Sequence, residues 1–186
     1  MARSAALREH IAAGILDAAT VVLGERGDRA SMADIAEAAG VGRATLYRYF
    51  PNREALLTAL AEAAFRELTE RVAEARLDAV PVRAGIARMT RTFVGAVSKY
   101  RALTYFEKSD ASPAGLEQLV IGPLRELFAR GSADGTLRAD LSADLLLELY
   151  TSLLEGSAIR MLHTPRGVEE TSAAITTLFL DGAAAS

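Results

Sequence analysis

The residues of this chain best suited to recognition chemistry lie close together in the run Ser31-Met-Ala-Asp-Ile-Ala-Glu-Ala-Ala-Gly-Val-Gly-Arg-Ala-Thr-Leu-Tyr-Arg-Tyr-Phe50, with Arg53 just beyond it. From Ala38 to Arg53 the sequence carries Arg43, Arg48 and Arg53 and no acid, although the whole chain has a formal net charge of −3. Affinity for phosphate depends on the field at the contact face, so a local basic patch on an acidic protein can bind DNA. An arginine near a helix N-terminus can pair bidentately with a guanine edge, which suits Arg43. The hydroxyls of Thr45 and Tyr47 can donate to phosphate oxygens, and Arg48 and Arg53 can add charge there. Contacts of that second kind set register without reading sequence.

Other chemistries are poorly served. Cysteine is absent, so the chain has no disulfide framework and no thiolate metal site. The two histidines, His10 and His163, lie far apart in sequence, and no zinc-type spacing occurs. Paired acids such as Glu169-Glu170 fall at a helix start, where they complement the helix dipole. Gly40-Val-Gly-Arg-Ala-Thr45 has some likeness to a Gly-rich phosphate loop, but that loop follows a strand and carries more glycines. The expectation is a protein with no catalytic residues, no metal and no cofactor. An all-helical enzyme and a helix-rich adaptor without DNA binding are the rival readings. The first lacks a cluster of titratable groups, and the second does not explain Arg43, Tyr47 and Arg53.

The elements that must position these residues are helical. Apolar positions recur at three- and four-residue steps, and strand-like alternation is missing. Leu7, Ile11, Ile15, Ala18, Ala19 and Val22 carry a first helix that ends near Gly24 to Gly27. Ser31 is an N-cap type for a short second helix, with Asp34 in its first turn, and Gly40 stops it. A third helix runs from about Arg43 to Phe50, until Pro51-Asn52 opens a fourth that reaches about Leu77. Two short helices meeting at a Gly-containing turn are the layout of a helix-turn-helix. Ile35, Ala36, Val41 and Leu46 can close its core, leaving Arg43, Ala44, Thr45, Tyr47, Arg48 and Tyr49 for the outside.

Further helices are expected over residues 82–99, 101–108, 116–128 (kinked at Gly122-Pro123), 142–162 and 168–181, with a Gly- and Asp-rich loop over 131–141. Half of the chain is apolar (51%), enough for a substantial core. The N-terminus lacks the uninterrupted apolar stretch of a signal peptide, and no run approaches the ~20 residues of a membrane span, so a cytoplasmic protein with no membrane partner is expected. When bound to DNA it would be nucleoid-associated.

The N-terminal residues resemble the DNA-binding domain of the TetR family of bacterial one-component regulators. Ile15, Ala18-Ala19, Gly27, Ile35-Ala36, Gly40-Val41, Thr45-Leu46-Tyr47, Tyr49-Phe50, Arg53 and Leu56 carry the likeness, with arginine at 53 where lysine is more usual. The resemblance implies an all-α fold of about nine helices. Residues 1–53 would form a three-helix helix-turn-helix domain, and 54–186 a helical ligand-binding and dimerisation domain, with the fourth helix from about residue 54 as linker. It implies base contacts by Arg43, Ala44 and Thr45 and phosphate contacts by Tyr47, Arg48 and Arg53, with Ser31 and Tyr49 added to the DNA-facing set. The expected partners are double-stranded operator DNA, a small-molecule effector and a second copy of the chain. The expected function is a ligand-responsive regulator, a repressor that binds a palindromic operator as a dimer and is released by its effector.

The C-terminal part adds its own pattern. In 142–162 the polar residues Asp144, Glu148, Thr151, Ser152 and Glu155 form one narrow stripe on a largely apolar helix. An arc that wide predicts burial on two sides, against the domain core and against a partner. Leu145, Leu149, Leu153 and Gly156, with Ile175, Leu178 and Phe179 of the last helix, are the candidate dimer interface; Gly156 hints at a close helix crossing. Met89, Phe93, Tyr100, Tyr105, Tyr150, Met161 and His163 are the candidate lining of an effector pocket, the bland alternative being ordinary core.

Overall fold

The computed structural model describes residues 2–100, 115–163 and 166–184, with the side chains of 2–5, 162 and 163 left out. The expected helix at 101–108 and the candidate Tyr105 fall outside the described residues, as does the side chain of His163. Among the described residues the chain is helical: α1 (Ala2–Arg26), α2 (Met32–Ala38), α3 (Arg43–Tyr49), α4 (Arg53–Glu74), α5 (Val82–Lys99), α6 (Gly122–Ala133), α7 (Ala143–His163) and α8 (Val168–Ala183). The one β-type pairing there is an isolated bridge between Leu137 and Ala184. No described helix is long and apolar enough to cross a membrane.

Two compact units divide the residues. The first takes the chain up to Ala64 together with Lys99 and Tyr100; the second takes Phe65–Ser98 and the described residues from 115 onward. In the first, Ile15, Ala19 and Leu23 of α1 pack with Ile35 and Ala36 of α2, Leu46 of α3, and Leu56 and Leu60 of α4. The spacing of Ile15, Ala19 and Leu23 keeps one face of α1 inward, as a helical period requires.

The second unit is built around an aromatic triad. Phe128 of α6, Tyr150 of α7 and Phe179 of α8 have ring centroids 5.0 to 5.8 Å apart and tilted. Val82, Ile86, Met89 and Val94 from α5 and Leu124, Leu127, Leu146 and Leu154 from α6 and α7 fill the remainder.

Three local features differ from the sequence expectation. First, α4 stops at Glu74 rather than near Leu77, because Arg76 takes a left-handed conformation with φ 48°. Second, Gly131 does not begin a loop. The helix continues to Ala133, and the missing side chain admits Leu137 and Val82, whose carbons lie 2.8 Å from where a Cβ would stand. Third, the break at Gly122-Pro123 is a π turn over Glu117–Ile121, closed by the Gly122 N–H on Glu117 O. Pro123 has no N–H to continue an α-helical ladder, and the widened turn before it absorbs the mismatch.

Candidate nucleic-acid interface

Local hydrogen bonds define both ends of the second helix of the helix-turn-helix. Ser31 caps α2 through a complete capping box: Asp34 N–H donates to Ser31 Oγ (3.1 Å), and Ser31 N–H donates to the Asp34 carboxylate (2.8 Å). Ser31 Oγ donates to the same carboxylate at 2.7 Å, and Arg26 closes an ion pair with it at 2.8 Å. The backbone and hydroxyl bonds from Ser31 hold the Asp34 carboxyl below the usual carboxylate range, with Arg26 assisting. At the other end of α2, Gly40 adopts φ 66°, its N–H reaching Glu37 O and that of Val41 reaching Ala36 O, each at 3.0 Å. This pair of bonds is a Schellman closure, and its left-handed position is why glycine stands at the turn.

The turn sets α3 so that Leu46 is fully buried and Phe50 nearly so, while Arg43, Ala44, Tyr47 and Arg48 are exposed and Thr45 and Tyr49 are half-buried. Tyr47 is 48% exposed. The Arg48 guanidinium stands 5.6 Å from the centroid of the Tyr49 ring, which gives that arginine a platform while its charge stays outward. A short helix with one buried leucine and a basic, hydroxyl-bearing outer face is what a major groove admits. Ser31 is exposed at the start of α2, but its hydroxyl proton is already given to Asp34. Arg53 is half-buried and donates through Nη1 to Ala30 O, a bond that ties the start of α4 to the loop before α2. Sequence reasoning assigned Arg53 to phosphate alone. Its tertiary partner is a backbone oxygen far away in the chain, which no local pattern announces.

Two open cavities of the second unit are lined by described residues. One, of about 650 Å³, lies along α7 and α8 and is lined by residues including Leu153, Gly156, Arg160, Met161, Thr171 and Leu178. The other, of about 520 Å³, lies between the end of α4 and the start of α6.

Comparison with known proteins agrees with this geometry. The family model described as bacterial regulatory proteins, tetR family, matches residues 15–60, which are the helix-turn-helix core. The transcriptional repressor LfrR of Mycolicibacterium smegmatis is 54% identical over 54 residues, spanning 29% of this chain and 28% of that one. An uncharacterized HTH-type transcriptional regulator of Mycobacterium tuberculosis, Rv1255c, is 34% identical over 158 residues, 81% of this chain and 78% of its own length. The chain belongs to the TetR family of bacterial regulatory proteins. Among solved structures, LfrR in complex with proflavine superposes with a TM-score of 0.72 at 26% identity, covering 92% of this chain and 96% of that one. SCO0520 of Streptomyces coelicolor gives 0.66 at 27%, covering 94% and 99%. The fold is the family's: an N-terminal helix-turn-helix followed by a C-terminal helical domain.

For this TetR-family chain the expected effector lining does not come together as one open pocket. Met89 and Tyr150 are sealed within the second core, Met161 is buried at its edge beside the larger cavity, and Phe93 is half-buried against it. Tyr100 packs in the other unit, with the helix-turn-helix core. What sequence reasoning missed is the partner of Tyr150. Its phenol lies 2.9 Å from Thr90 Oγ1, which in turn donates to Ile86 O at 2.9 Å. Burial pushes the Tyr150 phenol well above its ordinary pKa. The signal was a lone threonine within the apolar stripe Ile86, Met89, Phe93.

The candidate interface residues divide in two. Leu145, Leu149 and Leu178 stand 40%, 50% and 71% exposed, with Leu153 half-buried and Gly156 open beside them. Ile175 and Phe179 instead point into the chain's own core, because α8 turns that face toward Phe128 and Tyr150. Among the described residues no atom of another element lies within 4 Å of a Cβ placed on Gly156, so the close crossing suggested for it does not occur among them.

Proposed function

We propose that this TetR-family regulator is a ligand-responsive repressor that binds a palindromic operator as a homodimer and is released by a small-molecule effector. The outward face of α3 carries the reading: Arg43, Ala44, Tyr47 and Arg48 are exposed around a buried Leu46. Arg43 and its neighbours Ala44 and Thr45 read base edges. Tyr47 and Arg48 hold phosphates, and Ser31, Tyr49 and Arg53 support the surface from the flanks. Residues 1–53 are the reading head, and α4 carries the effect of a ligand from the body formed by 54–186.

The dimer reading rests on Leu145, Leu149, Ile159 and Leu178, large apolar side chains left exposed on the last two helices. Covering them with the same face of a second copy gives a closed two-fold contact. Two copies then present their α3 helices to successive major grooves about 34–36 Å apart. The effector is a predominantly apolar or aromatic molecule, in keeping with the proflavine complex of LfrR. Its preference for one dimer geometry couples the two sites by about 1–3 kcal/mol.

Titration of the full chain onto DNA flanking its own gene, at several salt concentrations, tests the reading. Arg48→Ala should weaken all sequences alike and lower the salt slope by about 1, whereas Arg43→Ala should alter base preference. Identical behaviour of the two variants, or no retardation of any fragment at low salt, overturns the assignment. Leu149→Asp with Leu178→Asp should give a monomer by sedimentation and abolish tight operator binding. A dimer that survives both changes places the interface elsewhere.

A further inference from the structure

The turn after α4 is held by two arginines from other helices. Arg130 of α6 donates to Asp78 O and Leu77 O at 2.8 Å and to Val80 O at 2.7 Å. Arg88 of α5 donates to Ala75 O at 2.9 Å. Together they satisfy carbonyls of the turn itself, beyond Glu74, the last residue of α4. Within the turn, Arg76 is the one non-glycine with positive φ among the described residues, and its Nε lies 3.5 Å from the Asp78 carboxylate. A non-glycine in this conformation is held there by its surroundings.

Across from the turn, the π turn presents Leu119, 47% exposed, toward the cavity of about 520 Å³. The volume falls in the range of small-molecule sites. Val72, Leu77, Leu119, Pro123 and Leu127 give it apolar walls, and Glu126 stands at its rim. The charges are not balanced for a ligand. Arg130 is committed to three carbonyls and Arg76 faces Asp78, so of the four charged lining residues Glu126 alone has no ion pair or hydrogen bond among the described residues.

We propose that this groove binds a small apolar molecule carrying one positive charge, its body against Leu119 and Leu127 and its cation at Glu126. An occupant also presses on Leu77 and Asp78, whose carbonyls Arg130 holds. The end of α4 therefore registers the ligand through a hydrogen-bonded clamp. The site deepens the effector reading above and depends on it only for the consequence at the operator.

The test is a fluorescence titration of the full chain, without DNA, using proflavine as the cationic probe and acridine at about pH 8 as its uncharged counterpart. Glu126→Gln should weaken proflavine about three- to five-fold and leave acridine unchanged, as loss of one exposed charge pair would. Leu119→Ala should weaken both probes about five-fold through lost apolar contact. Both side chains are solvent-exposed, so neither change threatens folding. Wild-type affinity for proflavine in both variants, or no binding of either probe up to about 1 mM, overturns the groove. Operator retardation is read separately: its failure counts against the repressor reading and leaves a measured groove affinity standing.

Discussion

Replacing Thr90 by valine should cost more than replacing Tyr150 by phenylalanine, although both remove the same hydrogen bond. The Thr90 hydroxyl has one proton, and it goes to Ile86 O at 2.9 Å. The Tyr150 phenol is therefore the donor in the 2.9 Å bond between the two hydroxyls, and its other acceptor, Ile86 O, is 3.4 Å away. In Thr90→Val the phenol keeps only that long contact inside a fully buried site, so the expected loss is about 2 kcal/mol, within the 1–3 range for an unsatisfied buried group. In Tyr150→Phe the threonine keeps Ile86 O, and the loss is that of one ordinary hydrogen bond, about 1 kcal/mol. The double variant has no stranded donor and should lie near Tyr150→Phe, which makes the two changes sub-additive by about 2 kcal/mol. Urea unfolding followed by circular dichroism, with the m-value shared across the set, measures all four proteins. Additive losses, or a Tyr150→Phe loss larger than that of Thr90→Val, would refute the assigned direction of the bond.

The same phenol gives a pH prediction. Its folded pKa lies above the unfolded value of about 10, so its contribution is intact below about pH 10 and is lost as pH rises from there toward the folded value. Alkaline destabilisation between pH 10 and 11, about one pH unit, should be shallower in Tyr150→Phe than in wild type when followed by thermal melts. Asp34 behaves with the opposite sign: its folded pKa is depressed, so its contribution is present above about pH 4 and fades as pH falls through the folded value. The difference in melting temperature between wild type and Asp34→Asn should therefore shrink as the pH is lowered from about 4. Ser31→Ala should cost about 1 kcal/mol of helix-turn-helix stability, measured by urea unfolding at neutral pH. Gly131→Ala should destabilise by about 1–3 kcal/mol despite alanine's better helix propensity, because the added carbon would stand 2.8 Å from Leu137 and Val82; unchanged stability would show that those side chains move aside.

Much of the helix-turn-helix could be read from the chain because its determinants are local. Ser31 with Asp34, Gly40 in its turn and Pro51-Asn52 before α4 each act within a few residues, and the structure realises them as a capping box, a Schellman closure and a helix start. The apolar period then decides which face of α3 is inward, so Leu46 buried and Tyr47 and Arg48 exposed follow from spacing alone. Long helices behave likewise: α5 runs from Val82 to Lys99 along the apolar stripe Val82, Ile86, Met89, Phe93 and Val97.

Tertiary structure alone decided matters in which one residue's role depends on another far along the chain. Apolar residues on α7 and α8 look alike in sequence. Yet Phe179 closes the aromatic triad while Leu178, one residue away, is 71% exposed. The helix period says that they face different ways, but not which way meets the core. Arg53 bonding Ala30 O, Thr90 serving Tyr150 and Arg130 clamping the turn after α4 are likewise invisible to spacing. A hydrogen bond across the fold depends on where two backbones come to rest, and that is settled by packing rather than by either residue's neighbours.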